Sequence, residues 1–383
     1  YGTGYLPRKF KIAFAFPDDN CTDVFSNDLG LVVLADGDRI QGFNVVVGGG
    51  LGQTHNKPDT YPRLASPLAF IRPEELVEVA RAIIGVQRDW GNRTNRKRAR
   101  LKYLLDEQGV DWFRGEVQAA LGRPLEPYRD VEVTGFHDHL GWHRQDDGRW
   151  FRGIWIESGR IHDAEGLRLR TGLRRVVRAF GASVYLTTQQ NLLLVDVAEG
   201  DRASIDAVLR AHGVPEPQGL SQVRRHAMAC PAIPTCPLAV AEAERALPGV
   251  VTQLEAALAE MGLGEVPLAV RMTGCPNGCA RPYTADLSFV GRSLGKYQVY
   301  VGGNLEGNRL AELYADLVPL DGLAATVHPL FERFRDERLP GERFGDFWAR
   351  TGLVPLAAPA GEGGPRIRTA AFPAHVATPE TAA

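Results

Sequence analysis

The sequence predicts an α+β fold made of repeated units, with a ferredoxin-like α+β subdomain between them. First, strand-like alternating segments and helix-like segments follow one another along most of the 383 residues. Second, "GFNVVVGGGLG" (42–52) and "KYQVYVGGNLEG" (296–307) echo each other as a strand, a Gly-Gly pair and a further glycine. Third, the middle of the chain has a strand–helix–strand–helix order. We expect units at 1–130, 131–213 and 214–352, and a disordered tail at 353–383.

The first unit opens with an alternating strand, "KFKIAFAF" (9–16). We predict that its packed face consists of Phe10, Ile12, Phe14 and Phe16. The opposite face is predicted to be open and basic, with Lys9, Lys11, Ala13 and Ala15. "RIQGFNVVVGGGLG" (39–52) predicts a strand followed by a Gly-rich turn. "PEELVEVARAIIGVQRDWG" (73–91) predicts a helix that begins at a proline, and the basic run "RTNRKRARLKYLL" (93–105) follows it.

The second and third units are predicted from similar patterns. In the second, "WFRGIWIESGRI" and "SVYLTTQQNLLLVDV" predict strands, while "GLRLRTGLRRVVRAFG" and "ASIDAVLRAHG" predict helices. In the third, "PLAVAEAERALPGVVTQLEAALAEMG" predicts helix with a break near Pro248. "EVPLAVRMTG" and "YQVYVGG" predict strands. These alternations are the basis for the α+β assignment.

Composition and charge exclude several classes of protein. The formal net charge is −2, which argues against bulk attraction to nucleic acid or to membranes. No run of 18 apolar residues is present, so no transmembrane helix is predicted. The chain starts at Tyr1 rather than Met, so we expect natural sequence to precede it. The expected location is the cytoplasm, and targeting stays open because we expect sequence to precede Tyr1.

Four of the five cysteines cluster, and this predicts a metal or cluster site. They form a C-x5-C pair, Cys230 and Cys236, and a C-x3-C pair, Cys275 and Cys279. An iron–sulfur cluster suits four thiolates on rigid Pro/Gly-rich loops. Three alternatives are structural zinc, which usually takes C-x2-C knuckles, plain buried cysteines, and disulfides, which would need an oxidising compartment that nothing else in the sequence supports. Cys21 has no partner nearby in the sequence and is interpreted as an ordinary free cysteine.

The residues around these cysteines predict stiff loops. Prolines at 231, 234, 237 and 276 disfavour helix at the sulfurs, and Gly274 and Gly278 permit close backbone approach. We expect a helix over 237–247 whose N-terminal dipole points at the thiolates.

Two other motifs resemble known binding sites, but we do not interpret them as functional sites. "GGGLG" (48–52) resembles a dinucleotide-binding loop, but "QTHNKPDTYP" follows it where a helix is required. His137, His139 and His143 are weakly zinc-like, and we interpret them as part of a polar surface loop.

Together, "CPAIPTCPLA" and "RMTGCPNGCARP" resemble the siroheme-containing sulfite and nitrite reductases. "YLPRKFKIA", "GFNVVVGGGLG", "QRDWGNRTNRKRARLKYLL", "QQNLLL" and "RFGDFWARTG" follow in family order, so the resemblance covers residues 5 to about 352. It implies repeated siroheme-reductase units. Gly278 and Arg281 favour the sulfite branch, because the nitrite branch usually has Ser and Gln at these positions.

The resemblance implies the cofactors and their ligands. The four clustered cysteines would hold a 4Fe–4S cluster, and Cys279 would also bridge to the iron of siroheme. Asn277 would shape the turn between the last two ligands. Arg93, Arg96 and Arg100 would bind siroheme carboxylates, with weaker support for Gln190 and Asn191 near the haem. For Gln190 and Asn191, satisfied amides at a strand end are the alternative.

The resemblance also implies a substrate and partners. Lys9 and Lys11 would bind sulfite and help to deliver protons during its six-electron reduction to sulfide, whereas spacing alone favours a solvated strand face. Ferredoxin is the favoured electron donor, with an NADPH flavoprotein reductase as the alternative. Siroheme nitrite reductase and a non-catalytic metal-binding scaffold stay open as functions. Family members have an additional N-terminal half that supplies two substrate-site arginines, so we expect this chain to be a fragment.

Overall fold

The computed structural model describes residues 4–353 and contains three separate main sheets. The predicted tail, 353–383, lies outside the described residues except for Leu353. The division into three sheets follows the chain order, while the exact domain boundaries stay a prediction. No helix within residues 4–353 is both long and apolar enough to cross a membrane.

The first sheet has four strands in the order β1-β2-β3-β4. They are β1 (Ile12–Ala15), β2 (Leu29–Asp36), β3 (Arg39–Val47) and β4 (Ser66–Ile71). The β1 strand runs parallel to β2, and the other neighbours are antiparallel. One face packs against three helices, α1 (Leu76–Trp90), α2 (Leu101–Gln108) and α3 (Val110–Leu121).

The alternation predicted for β1 is present, and Phe10 packs against the helix-side core as predicted, but the other three residues of the predicted packed face were assigned wrongly. Ile12, Phe14 and Phe16 are 46%, 46% and 50% exposed, whereas Ala15 is buried. Helices α1–α3 pack on the strands inside the sheet and leave the matching face of the edge strand β1 open. The alanine face is covered instead, because Ala15 packs with Val24 and with β2 and β3 residues on the other side of the sheet.

The second sheet has the ferredoxin-like arrangement and is antiparallel throughout, in the order β5-β6-β10-β9. Its strands are β5 (Gly141–Arg144), β6 (Trp150–Ile154), β9 (Ser183–Leu186) and β10 (Leu192–Val197). A short hairpin, β7 (Asp163–Ala164) with β8 (Leu167–Arg168), precedes the helices α4 (Leu169–Phe180) and α5 (Arg202–Ala211). The segment "SVYLTTQQNLLLVDV" therefore forms two paired strands.

The third sheet has the order β11-β12-β13-β14-β15. Its strands are β11 (Ala227–Ala229), β12 (Val270–Thr273), β13 (Leu287–Ser293), β14 (Lys296–Val301) and β15 (Glu312–Pro319). The first three run parallel, and the last two are antiparallel to their neighbours. The helices of this unit are α6 (Gln222–Arg225), α7 (Leu247–Glu260), α8 (Leu323–Glu337) and α9 (Phe344–Thr351).

The first and third sheets repeat one arrangement, as the internal echo predicts. In both, a parallel pair is followed by two antiparallel strands, namely β1–β4 and β12–β15. The register also repeats, because Ile12 pairs with Leu29 and Val270 pairs with Leu287, each 17 residues later. Asp28 accepts a 2.8 Å hydrogen bond from the Lys11 N–H, and Asp286 accepts one of the same length from the Ala269 N–H.

The helix predicted over 237–247 is absent. Residues 237–246 are irregular, and α7 begins at Leu247 with a proline in its first turn. The backbone N–H groups of Val240 and Ala241 donate instead to the Gly274 carbonyl, at 2.8 and 3.1 Å. These bonds fasten the loop after Cys236 to the loop before Cys275, and no helix dipole is directed at the thiolates from this segment.

Candidate functional site

Two adjacent parallel strands position the clustered cysteines. Cys230 directly follows β11 and Cys275 lies two residues beyond β12, and Ala229 pairs with Met272 at the ends of these strands. The Cys230 N–H donates to the Met272 carbonyl at 3.1 Å. Because parallel strands end at one edge of a sheet, both cysteine-bearing loops leave the sheet side by side.

Gly274 lets these two loops approach each other. A Cβ atom on Gly274 would lie 2.6 Å from the Ala232 Cβ and 2.6 Å from the Ala241 carbonyl oxygen. Its own N–H donates to the Cys230 sulfur at 3.3 Å. A residue with a side chain at position 274 would therefore separate the C-x5-C loop from the C-x3-C loop.

The thiol groups interact with one another. Burial raises the pKa of Cys230, and the neighbouring Cys279 and Cys275 thiols add to the rise. Burial also raises the pKa of Cys275, with Cys279 and Cys236 contributing. The four thiols are therefore close enough to affect one another's pKa.

The four thiols do not have the spacing of ligands around a single ion. Around one zinc ion, sulfurs bound at about 2.3 Å stand within about 4 Å of each other. Within residues 4–353, the four cysteines do not form a group whose ligand atoms all lie within 4.8 Å. An iron–sulfur cluster holds its cysteine sulfurs farther apart, because each ligates a different iron atom.

Exposure distinguishes Cys279 from the other three. Cys230 and Cys275 are buried, Cys236 is half-buried and Cys279 is exposed. Cys279 can therefore contact a group outside the cysteine loops.

Asn277 lies at the centre of the turn between Cys275 and Cys279. Hydrogen bonds from its backbone and side chain oppose the rise in the pKa of Cys275, since they stabilise the thiolate. The Gly-rich turn of the first unit packs on this turn. The Gln53 N–H donates to the Pro276 carbonyl at 2.9 Å, and a Cβ on Gly52 would lie 3.2 Å from the Asn277 carbonyl oxygen. This contact gives "GGGLG" a structural role.

Gln190 and Asn191 hold backbone near the cysteines. The Gln190 side chain donates to the Ala229 carbonyl at 2.8 Å and accepts from its N–H at 3.3 Å, so it fixes the residue before Cys230. Asn191 accepts from the Ile156 N–H at 2.9 Å, while its buried amide nitrogen has no partner among the described residues. Both amides therefore make backbone contacts, and their roles near a haem stay a prediction.

Lys11 and Arg100 meet at the buried carboxylate of Asp28, which the sequence did not indicate. Arg100 donates two hydrogen bonds to Asp28, from Nε at 2.9 Å and from Nη2 at 2.7 Å. The Lys11 side chain keeps accessible surface, but the surrounding protein and the Arg100 guanidinium lower its pKa. Lys9 and Arg281 add to this lowering.

Two further arginines, Arg8 and Arg96, belong to this basic region, and Arg93 makes different contacts. Burial lowers the pKa of Arg8, and the Arg96 and Arg100 guanidinium groups lower it further. The Arg8 and Arg96 side chains have no hydrogen-bonding or ion-pair partner in the described part of the chain. Arg93 donates instead to the carbonyls of Tyr5 and Arg88, at 2.6 and 2.7 Å.

Arg281 connects the cysteine turn to this region. It pairs with Asp23 at 2.8 Å and donates to the carbonyls of Cys21 and Thr188, at 3.2 and 2.7 Å. The sequence identified Arg281 only as a sign of the sulfite branch. We define the basic group as Arg8, Lys9, Lys11, Arg96, Arg100 and Arg281. It fits an anionic cofactor, since like charges gathered in this way favour a bound anion.

Lys102 is a buried residue that the sequence analysis missed. Its ammonium donates to three carbonyls of the Gly-rich turn region, those of Gly50, Gly52 and Tyr61. Burial lowers the pKa of Lys102 to about 7. The residue lies within the basic run and is buried together with its neighbours Leu101 and Tyr103 at the start of α2, so helical periodicity does not distinguish it.

Two family models cover most of the chain. The nitrite and sulphite reductase 4Fe-4S domain matches residues 1–125 and 221–362, and the nitrite/sulfite reductase ferredoxin-like half domain matches 143–212. The structure of the Mycobacterium tuberculosis NirA protein is similar, with a TM-score of 0.76 and 29% identity over 90% of this chain and 63% of that one.

Curated relatives include both donor types. The NADPH sulfite reductase hemoprotein beta-component of Myxococcus xanthus is 47% identical over 94% of this chain. The ferredoxin sulfite reductase of Synechococcus elongatus is 46% identical over 93% of it. This chain spans 64% and 57% of those two proteins. The matching domains imply siroheme and a 4Fe–4S cluster as cofactors. The chain belongs to the nitrite and sulfite reductase family.

Proposed function

We propose that this chain is the cofactor-binding part of an assimilatory sulfite reductase, which reduces sulfite to sulfide with electrons from ferredoxin. The observation that carries the proposal is the position of the exposed Cys279 two residues before Arg281, which belongs to the basic group that contains Lys11. The cysteine turn with its exposed thiol thus leads directly into the basic group through Arg281.

Cys230, Cys236, Cys275 and Cys279 would hold the cluster, and Cys279 would be shared with the haem iron. When bound, siroheme and the cluster would supply the electrons for the reduction of sulfite. Arg96, with its unpaired guanidinium, would bind siroheme carboxylates, and Arg8 is a further candidate. Arg93 and Arg100 would contribute mainly to the structure, because their guanidinium groups already have protein partners. Arg93 donates to backbone carbonyls and Arg100 donates to the Asp28 carboxylate.

Lys9 and Lys11 would bind sulfite and supply protons. Both are exposed cations in the segment just before β1. Sulfite is an anion whose oxygens leave as water, so the reaction needs charge and protons together. The lowered pKa of Lys11 makes its ammonium a stronger acid than an ordinary lysine. Arg281, held in place by Asp23, would add positive charge at the same location.

Two related functions compete with this proposal. Nitrite reduction uses the same cofactors, and an NADPH flavoprotein can replace ferredoxin as the donor, since relatives of this chain include both donor types. The motif with Gly278 and Arg281 favours sulfite over nitrite. A metal-binding scaffold is disfavoured because it gives no role to the basic group, which includes Arg281 two residues after Cys279.

The test is an assay of the natural protein that contains this chain, loaded with siroheme and cluster. A chemical one-electron donor removes any dependence on a partner, and sulfide and ammonia are measured with sulfite and nitrite as substrates. We expect faster turnover per siroheme with sulfite at equal substrate concentration. Reduced ferredoxin and an NADPH flavoprotein then replace the chemical donor. Turnover of neither anion would refute the enzymatic proposal, and faster nitrite turnover would refute the substrate.

A further inference from the structure

A group of three metal-ligating side chains lies outside the clustered cysteines. Asp19, Cys21 and His139 each place one ligand atom within 4.8 Å of the other two. The His139 Nε2 atom lies 3.0 Å from Asp19 Oδ2. Around a tetrahedral ion bound at about 2.0–2.3 Å, ligand atoms stand about 3.3–3.8 Å apart. The three side chains are therefore close to the spacing that one ion needs.

The internal repeat places Cys21 at the position equivalent to Cys279. Cys21 lies nine residues after Ile12 and eight before Leu29, its partner on β2. Cys279 lies nine residues after Val270 and eight before Leu287, its partner on β13. The same repeat relates Asp23 to Arg281. The loop between β1 and β2 is thus the counterpart of the cysteine turn.

The two equivalent turns touch each other. Arg281 pairs with Asp23 at 2.8 Å and donates to the Cys21 carbonyl at 3.2 Å. The same carbonyl accepts from Thr188 Oγ1 and from Gln189 Nε2, each at 2.6 Å. Cys21 therefore lies where all three units meet.

The backbone holds the ligands in place before any ion binds. The Asn20 N–H donates to the Gly135 carbonyl at 2.9 Å, and the His137 N–H donates to Asp19 Oδ1 at 3.1 Å. A Cβ on Gly135 would lie 1.7 Å from the Asp18 carbonyl oxygen, so only glycine permits this approach. His139 adopts a φ of 58°, an uncommon conformation for a residue other than glycine, and this directs its ring toward the loop that carries Asp19.

We propose that Asp19, Cys21 and His139 bind one divalent transition-metal ion of the zinc type. A thiolate and an imidazole favour such ions over magnesium or calcium, which prefer oxygen ligands alone. Three protein ligands leave the fourth tetrahedral position to water. The ion fastens the irregular segment 129–140 to the loop between β1 and β2, beside the junction with the cysteine turn.

The experiment titrates protein already loaded with cluster and siroheme with Co²⁺ and with Zn²⁺, so that the cluster cysteines are occupied. We expect one equivalent of Co²⁺ per chain, with thiolate-to-cobalt charge-transfer absorption, and displacement of Co²⁺ by Zn²⁺. Cys21→Ser should abolish the charge-transfer band. His139→Asn suits the unusual φ and should lower the affinity at least about a hundredfold, as expected for loss of a direct ligand.

Asp18→Asn is the matched control, because it changes a neighbouring exposed carboxylate that lies outside the three ligands. It should bind the metal like the parent protein. Thermal unfolding of each metal-free variant checks that it is folded. The proposal is overturned if the parent binds no extra equivalent at micromolar metal, or if Cys21→Ser retains the charge-transfer band. Equal loss of affinity in Asp18→Asn and His139→Asn would also overturn it.

Discussion

The ion pair between Asp28 and Arg100 predicts different outcomes for two arginines that the family resemblance groups together. The Asp28 side chain is fully buried and the Arg100 side chain is 12% exposed. Replacing Arg100 with Met keeps an unbranched apolar chain but removes the guanidinium, which leaves the Asp28 carboxylate with the Lys11 N–H as its remaining donor among those contacts. Breaking a buried pair in this way typically costs about 3–5 kcal/mol. We expect about 3 kcal/mol, because that backbone donor stays and Arg100 is partly solvated.

Arg96 is the matched comparison. Its side chain has no polar partner in residues 4–353 and is exposed, so Arg96→Met should change the free energy of unfolding by less than about 0.5 kcal/mol. If Arg96 binds siroheme carboxylates, the same variant should lose siroheme while staying as stable as the parent. Arg100→Met should lose both stability and siroheme.

The assay is urea unfolding of the cofactor-free chain, followed by measurement of siroheme content after reconstitution of the natural protein. The double variant Asp28→Asn with Arg100→Met removes the buried negative charge that Arg100→Met leaves without a partner. It should recover most of the free energy of unfolding that Arg100→Met loses. A loss below about 1 kcal/mol in Arg100→Met would refute the reasoning. So would a double variant that is no more stable than Arg100→Met.

Four other substitutions provide further tests. Lys9→Met or Lys11→Met should lower sulfide production per siroheme about tenfold or more, because charge-assisted hydrogen bonds contribute ~1.5–3 kcal/mol each. Unchanged turnover in both variants would indicate that the two lysines only form a solvated strand face. Cys279→Ser should leave siroheme absorption insensitive to reduction of the cluster, and a persisting response would contradict a shared ligand. The pKa of Lys102 falls from 10.5 to about 7 on folding, so the unfolded chain holds a proton that the folded chain lacks. The free energy of unfolding should therefore rise between about pH 7 and 10.5, by up to about 1.4 kcal/mol per pH unit, and a slope that persists in Lys102→Met would count against this.

The cysteine loops were predictable because their signal is local. Each cysteine pair follows a short strand, and proline and glycine around the sulfurs specify loops rather than helix. The helix predicted at 237–247 is absent because backbone groups of this segment bond to a residue that is distant in the sequence. Val240 and Ala241 donate to Gly274, and apolar periodicity carries no information about that partner.

The orientation of β1 illustrates a second limit. Alternation correctly separates Phe14 from Ala15, but it cannot say which face another element covers. The edge position of β1 leaves Phe14 exposed, while the turn at Val24 covers Ala15. Asp28 was missed for a similar reason, since its partner Arg100 is 72 residues away.

The repeat explains how one backbone arrangement can support two different chemistries. Asp28 and Asp286 occupy equivalent positions and accept equivalent backbone hydrogen bonds, but the donors belong to Lys11 in the first unit and to Ala269 in the third. The first copy therefore presents a cation where the third presents a methyl group.

The turns that follow these positions differ in the same way. By the register of the repeat, the third copy has Cys275 where the first has Pro17, so the first copy keeps only one thiol, Cys21, in its turn. Arg281 and Asp23, themselves equivalent, join the two turns at 2.8 Å. Under the proposed function, the two copies have diverged so that the third carries the cluster cysteines and the first carries the sulfite-binding lysines. The Arg281–Asp23 pair joins the two copies between these groups.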